Sequence, residues 1–232
     1  MTARAVFFDV DFTLIYPGPT FNGEGHRIFC SRYGIDVDPT KFDEAVATAA
    51  PVLDRPEDAP YDPEVFVAYT TKILEEMGGT GPHLRACSQE IYEEWAVCHH
   101  FQLYDDVTPV LTSLAEAGVR IGLISNTQRC LTTFQNHFEL TGLIAATMSS
   151  FEHGRMKPHP SIFEAALARV GADAADAVMV GDSVRQDVEG ALRAGMRAIL
   201  LDRRDNRPER ARELGVPIIT SLRELPPLLS LG

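Results

Sequence analysis

The 232-residue sequence predicts an α/β fold, a doubly wound parallel sheet interrupted by an inserted α-helical domain. Three observations predict it. From Asp106 onward, apolar runs alternate with helical patterns of about 10–15 residues, the rhythm of parallel βαβ units. Between the first apolar run and Asp105, only helical periodicity is found. The charge changes at the same place: residues 16–105 hold 6 basic and 16 acidic side chains, a balance of −10, and the remainder hold 15 and 17, a balance of −2. The expected organisation is a core of residues 1–15 and 106–232 and a helical cap of residues 16–105.

Ala5-Val6-Phe7-Phe8 is the uninterrupted apolar run of a strand buried on both faces, and it leads into Asp9 and Asp11. Pro17-Gly18-Pro19 breaks the chain. Helices are then predicted over about Phe21–Tyr33, stopped by Gly34, and after Pro39, with Phe42, Ala45, Val46 and Ala49 on one face. Two more run over Val65–Met77, ended by Gly78-Gly79, and over roughly His83–His100, with Leu84, Cys87, Ile91, Trp95 and Cys98 at helical spacing. The charged, proline-rich stretch Arg55–Pro63 reads as a loop. A helix through Val110–Ala117 ends at Gly118 and leads to a strand, Val119–Ile124, that runs into Ser125-Asn126-Thr127. A helix over about Arg129–Phe138, a short segment near Ala146–Ser149, the loop Arg155–Pro158 and a helix over Ile162–Val170 follow. Ala177–Val180 is a buried strand opening into Gly181-Asp182-Ser183 and a helix. Arg197–Leu201 and Pro217–Thr220 are two more strands with a helix between them. An insertion directly after the first strand would roof the C-terminal edge of the sheet, with bending points at Gly18 and at Asp105–Asp106.

Composition narrows the function classes. With 45% hydrophobic and 23% charged residues the chain is that of a soluble globular protein. No apolar run approaches the roughly 18–20 residues of a membrane span, and the N-terminus lacks the small-residue cleavage site of a signal peptide, so no membrane partner and a cytoplasmic location are expected. Cys30, Cys87, Cys98 and Cys130 are scattered without a C-x-x-C pair, which suggests reduced, buried thiols and no zinc site. A formal charge of −12 argues against nucleic acid, whose affinity rests on phosphate neutralisation by Lys and Arg.

Ligands of a parallel sheet bind beyond the carboxyl ends of its strands, and four such places carry chemistry. Asp9 and Asp11 follow the first strand, where like charges need a cation nearby; the plain reading is a solvated acidic turn. Ser125 and Asn126 offer a hydroxyl and amide groups at a helix start, an anion seat or an ordinary N-cap. Lys157 is a loop ammonium able to neutralise a phosphoryl oxygen, or a solvated surface charge. Asp182 and Asp187 are cation ligands, or first-turn acids favoured by the helix dipole. Taken together they describe one site: hard carboxylate oxygens for Mg²⁺, and hydroxyl, amide and ammonium groups for a phosphate. An aspartate is a competent nucleophile toward phosphorus in that setting.

With these motifs in order, Asp9-Val10-Asp11-Phe12-Thr13, Ile124-Ser125-Asn126-Thr127, Lys157-Pro158 and Gly181-Asp182-Ser183 with Asp187, the sequence resembles the haloacid dehalogenase-like hydrolase superfamily. The motifs span the whole chain, and the insert matches the cap placed between the first two. The resemblance implies a Rossmann-like core and a set of roles. Asp9 would be the nucleophile, Asp11 the acid and then base, and Lys157 the catalytic cation. Asp9, the Val10 carbonyl, Asp11, Asp182 and Asp187 would make up the Mg²⁺ site. Ser125, Asn126 and Lys157 would bind the phosphoryl oxygens, and Thr13, counted with the substrate-binding residues, would brace the loop. Dehalogenases of this pattern lack an acid where Asp11 stands, whereas an alkoxide leaving group has to be protonated. The implied activity is thus a phosphomonoesterase acting on a small phosphorylated molecule. Phe12 stands where relatives often have Gly, at a position expected to offer mainly a backbone N–H.

In the cap, Trp95 is expected in the core, and His26, His99 and His100 at the surface; Arg27 is a further cap candidate, and none of these is assigned a substrate role. The cap's negative charge suggests a substrate without a second strongly anionic end. The alternatives are a phosphosugar mutase using the same aspartyl-phosphate, and a non-catalytic or receiver-type signalling domain. Receiver domains are about half this length and do not place a second acid two residues after the phosphorylated one.

Overall fold

A computed structural model describes residues 3–56, 58–206 and 208–229. Its strands are β1 (Ala5–Phe8), β2 (Ile15–Pro17), β3 (Phe101–Leu103), β4 (Arg120–Ser125), β5 (Ile144–Ser149), β6 (Ala177–Gly181), β7 (Arg197–Leu201) and β8 (Ile218–Ile219). Six of them form one sheet in the order β5-β4-β1-β6-β7-β8, and every pairing is parallel. The chain moves outward from β1 to β4 and β5, then crosses back to β6 on the other side. The direction of winding therefore reverses at β1, and such switch points are where open α/β sheets form their ligand crevice.

β1 is central because all four of its residues are buried, as a strand covered on both faces requires. Its register sets Phe7 opposite Gly122 of β4 and Met179 of β6. A Cβ on Gly122 would lie 2.5 Å from the Phe7 ring, so the missing side chain makes room for that ring. Phe7 joins Ile162, Phe163, Met179, Val188 and Leu200 in one apolar cluster. Each such side chain contributes roughly 1.5–3 kcal/mol on burial.

By backbone contacts the chain divides into two compact units, Met1–Tyr16 with Leu103–Gly232, and Pro17–Gln102. The second carries α1 (Gly23–Arg32), α2 (Phe42–Ala49), α3 (Glu64–Glu76) and α4 (Leu84–Trp95). Asn22 caps α1 by accepting the Gly25 N–H at 2.9 Å, and Gly34 and Gly78 follow α1 and α3 with φ of 68° and 100°, the left-handed turn that ends helices. The last predicted helix stops at Trp95, and Cys98–His100 forms a separate short 3₁₀ turn. The stretch expected to lack strands carries one at each end, since β2 and β3 pair as a two-stranded ribbon. Three residues are too few to show a period of two in sequence.

His26 is buried, not surface-exposed: its Nδ1 lies 2.9 Å from the Asn22 carbonyl and its ring packs on Phe42. Cys130 is exposed, contrary to expectation, whereas Cys30, Cys87 and Cys98 are buried. Trp95 packs on Phe21 and Phe101.

The remaining helices, α5 (Val107–Glu116), α6 (Leu131–His137), α7 (Ser150–His153), α8 (Pro160–Val170), α9 (Gly190–Arg193), α10 (Glu209–Glu213) and α11 (Leu225–Leu228), belong to the sheet-bearing unit. Among the described residues no helix is long and apolar enough to cross a membrane. Asp106, an expected bending point, is instead pinned. It is 1% exposed and accepts from Arg203 Nη1 and Nη2 at 3.0 and 2.9 Å, Ser221 Oγ at 2.7 Å and the Leu222 N–H at 2.9 Å. Arg203 also donates to the Thr13 carbonyl at 2.8 Å and stacks 3.6 Å over the Tyr104 ring. The segment after β1 and the segment between β3 and α5 are thus tied to one guanidinium.

Burial works to raise the Asp106 pKa, but the bonds from Arg203, Ser221 and Leu222 outweigh it and hold the carboxyl below its ordinary 3.8. A carboxylate with a lowered native pKa stabilises the fold above its unfolded value, and that gain is lost as pH falls through the native one. Asp106→Asn should therefore cost about 3 kcal/mol at pH 7, with the gap to wild type narrowing below the ordinary value of 3.8; urea melts at neutral and acid pH measure both.

Candidate active site

β1 extends by one more backbone bond, from the Asp9 N–H to the Val180 carbonyl at 3.0 Å, so the first acid is carried at the end of the central strand. The chain then doubles back. The Val10 carbonyl accepts the N–H groups of Leu14 and Ile15 at 2.8 and 3.1 Å, and the Phe12 N–H donates to the Ile15 carbonyl at 2.7 Å. Phe12 makes this turn with φ of 62°. For a residue with a Cβ the left-handed region costs roughly 1–2 kcal/mol, which is the physical reason a glycine suits the position. The backbone N–H expected of this position is bonded within the turn, to the Ile15 carbonyl.

Lys157 is brought to Asp9 from the far side of the sequence. Its Nζ lies 2.6 Å from Asp9 Oδ1 and 2.6 Å from Asp187 Oδ1, with only 1% of the side chain exposed. An ammonium has three donors, and two are used here. Asp187 is placed by a helical turn wider than α: the Val188 N–H reaches back five residues to the Ser183 carbonyl at 3.2 Å, within the π-helical stretch Val184–Glu189. Turns of this kind recur at functional sites. The Ser183 N–H donates to Asp187 Oδ2 at 3.0 Å. A Cβ on Gly181 would fall 2.2 Å from the same oxygen, so only glycine admits this carboxylate against the end of β6.

Asp182 completes a group of three. One carboxylate oxygen from each of Asp9, Asp182 and Asp187 lies within 4.8 Å of the others, Asp9 and Asp187 buried and Asp182 open to solvent. Three acids thus compete for one ammonium. Burial acts to lower the Lys157 pKa, but the Asp187 and Asp9 charges outweigh it and the net shift is upward. The acids are left short. Burial raises Asp187 to about 6, with Lys157 opposing and Asp9 adding. Asp182 is exposed as a residue, but its carboxyl oxygen lies against the other two acids; desolvation there, then the charges of Asp9 and Asp187, push it well above its ordinary value. A cluster of hard oxygens with surplus negative charge is the donor set a divalent cation of the Mg²⁺ kind fits.

Other expected residues fall into different places. Ser125 ends β4, almost fully buried, and its hydroxyl makes no hydrogen bond among the described residues. The Asn126 side chain is not turned to a ligand: its Oδ1 accepts the Lys157 N–H at 2.7 Å, and its Nδ2 donates to the Lys157 carbonyl at 2.9 Å and to Gln186 Oε1 at 3.2 Å. It clamps the lysine's own peptide, so only its backbone is left to meet a phosphate. Thr13 has no exposed surface and its buried hydroxyl has no partner among the described residues. It serves through its carbonyl, which Arg203 holds, and cannot contact substrate. Val10 drops out of the ligand set, because both lone pairs of its carbonyl are engaged.

The Asp11 carboxylate also stands apart from the three-acid group. Its Oδ1 accepts from Arg129 Nη1 at 2.9 Å, so the cation that Asp11 meets is this guanidinium. Burial raises its pKa, Arg129 opposes, and the Asp9 charge adds to the rise. Arg129 itself, predicted only as the start of a helix, was not singled out by any motif. A guanidinium four residues beyond Ser125 carries no pattern that separates it from a surface charge.

This geometry is accompanied by clear likeness to known proteins. Residues 3–195 match the family described as haloacid dehalogenase-like hydrolase. The chain is 31% identical over 209 residues to the ribulose-1,5-bisphosphate 5-phosphatase of Halopiger xanaduensis, covering 86% of this chain and 85% of that protein. It is 30% identical over 244 residues to the N-acylneuraminate-9-phosphatase of Mus musculus, covering 97% and 93%. Among solved structures, a HAD phosphatase from Thermococcus onnurineus superposes with a TM-score of 0.68 at 22% identity over 98% of each chain. A HAD-hydrolase of Bacillus subtilis bound to magnesium superposes with a TM-score of 0.73 at 18% identity over 99% of each chain. At such identities the structural likeness is one of fold. The chain belongs to the haloacid dehalogenase-like hydrolase family. Its full-length relatives set it on that family's phosphatase branch.

If the three acids hold a divalent cation, Mg²⁺ should raise the thermal midpoint at pH 7, by the equivalent of about 2.7 kcal/mol at a hundred times its Kd. Asp182→Asn should shift that Mg²⁺ titration to much higher concentration, read by differential scanning fluorimetry.

Proposed function

We propose that the chain is a Mg²⁺-dependent phosphomonoesterase that works through an aspartyl-phosphate on Asp9. The observation that carries this reading is the Lys157 ammonium, 2.6 Å from both Asp9 and Asp187 at the carboxyl ends of adjacent strands β1 and β6. Mg²⁺ held by Asp9, Asp182 and Asp187 would neutralise charge on the phosphoryl group and align it. The third Lys157 donor and the Ser125 hydroxyl bind phosphoryl oxygens. The free Asp9 oxygen attacks phosphorus as the bond to the leaving oxygen breaks, and Asp11 gives that oxygen its proton. Asp11, now ionised, takes a proton from the water that attacks the aspartyl-phosphate, returning Asp9 and releasing inorganic phosphate. Uncatalysed monoester hydrolysis is so slow that enhancements up to about 10²¹ are needed, and preorganised charge is the main source available.

The substrate is a small phosphomonoester. Relatives over most of the chain are named for phosphorylated sugars and a sugar acid, among them N-acylneuraminate-9-phosphatase and glyceraldehyde 3-phosphate phosphatase. Within residues 17–102, Arg27, Arg32, Arg55, Lys72 and Arg85 are each paired with an acid of the same stretch. Lys41 is the remaining basic side chain there, and no ion pair is found for it among the described residues. That unit therefore presents no cluster of unneutralised cations for a second phosphate. A substrate with one strongly anionic end fits it best, and the bisphosphate chemistry named for one relative is the contrasting outcome.

Asp9→Asn should abolish Mg²⁺-dependent hydrolysis of an aryl phosphate, a loss of at least about 10³-fold, while circular dichroism shows an intact fold; EDTA should have the same effect on wild type. Full activity in Asp9→Asn would sink the mechanism. On a panel of sugar monophosphates and bisphosphates at fixed Mg²⁺, the highest kcat/KM should belong to a monophosphate.

A further inference from the structure

Arg129 is the largest of the fully buried side chains, with no exposed side-chain surface. A buried guanidinium is a costly way to fill a core, because well-packed apolar groups of similar volume are often as stabilising or more so. Nor is it reachable by a substrate. Its Nη1 lies 2.9 Å from Asp11 Oδ1, a carboxylate that keeps 19% of its side chain exposed. The two residues sit on loops leaving β4 and β1, neighbours in the sheet. The arginine's own loop is fixed in turn: Thr127 is buried and its Oγ1 accepts the Arg129 N–H at 3.0 Å. A rigid, buried donor thus grips one oxygen of an acid whose side chain remains partly open.

Asp9 and Asp11 are two residues apart, yet only Asp9 enters the three-acid group. Without a cation of its own, a second carboxylate so close would be drawn toward Lys157 or toward a bound divalent ion. We infer that Arg129 is a positioning residue, which holds the Asp11 carboxylate off the cation site and in the place from which it serves the leaving oxygen. This rests on the reading of Asp11 as the proton donor. It also makes a statement about substrates: in the leaving-group step Arg129 matters for esters whose leaving group must be protonated, the alkyl and sugar phosphates, and hardly for activated aryl phosphates, whose leaving group departs as an anion.

The test compares an alkyl phosphate with dinitrophenyl phosphate in wild type, Asp11→Asn, Arg129→Met and the double variant, all with saturating Mg²⁺, and reads the single-turnover rate of leaving-group release, which precedes the water step that Asp11 serves for every ester. Asp11→Asn should lose activity selectively on the alkyl ester, within the about 10²–10⁴-fold range of acid–base catalysis. Arg129→Met should follow the same pattern, with kcat on the alkyl ester down about a hundredfold and KM little changed. The double variant should be no slower than Asp11→Asn, since the two residues act as one unit. Should Arg129→Met fail to fold, Arg129→Lys keeps a cation there and should show the same selective loss, about tenfold. An equal loss on both esters in a folded Arg129 variant, or additive losses in the double variant, overturns the inference while leaving Asp11 as the acid. An Asp11→Asn variant without leaving-group selectivity overturns the reading of Asp11, and the inference with it.

Discussion

The ammonium of Lys157 lies between two carboxylates that neighbouring strands would otherwise hold in mutual repulsion. Its position explains much of what surrounds it. Asp9 rides on the central strand because the buried run Ala5–Phe8 fixes that strand between β4 and β6. Asp187 comes close because Gly181 has no Cβ and a wide helical turn aims the carboxylate back at the end of β6. Lys157 is held in place by its own peptide, clamped on both sides by Asn126. Removing any of these supports would leave a buried charge without its partner, which costs more than the pair itself contributes.

Asp9 and Asp11 show how one strand end can give two acids separate partners. They share a charge and a spacing of two residues, but their partners come from different strands. Asp9 faces Lys157 and the other two acids, while Asp11 faces Arg129. The turn that follows Asp11 is tight enough to force Phe12 into a left-handed conformation. Strain of that sort persists where the surrounding structure over-determines it, and functional sites are where it collects. The surplus of three acids over one ammonium has a similar logic: it is unfavourable in the protein alone and becomes favourable with a divalent cation present.

Much of this was readable from residue order. The apolar runs and their spacing gave away a parallel sheet; the charge step falls near the bounds of the two compact units, and Asp9, Lys157, Asp182 and Asp187 lie close together. Where the structure departs from expectation, the cause is shared. The side chains of Asn126 and Thr13 and the carbonyl of Val10 suit a phosphate or a metal, and a sequence shows which groups exist but not which are already consumed. Asn126 is spent on the Lys157 peptide, the Val10 carbonyl on two N–H groups, and the Thr13 hydroxyl lies out of reach. Arg129 escaped notice for the converse reason, since burial is what gives it meaning. The short β2 and β3 were missed because three residues cannot display a period.

By itself, the sequence determined the elements, their order and the chemistry each strand end carries, because periodicity and turn residues act over a few neighbouring positions. Tertiary structure decided the strand order β5-β4-β1-β6-β7-β8 and the partner of every charged group in the site. Lys157 and Asp9 are 148 residues apart, and Arg129 and Asp11 are 118 apart. Pairings over such distances are set by which strands lie side by side and by the space a missing Cβ leaves. Neither is a local property of the chain.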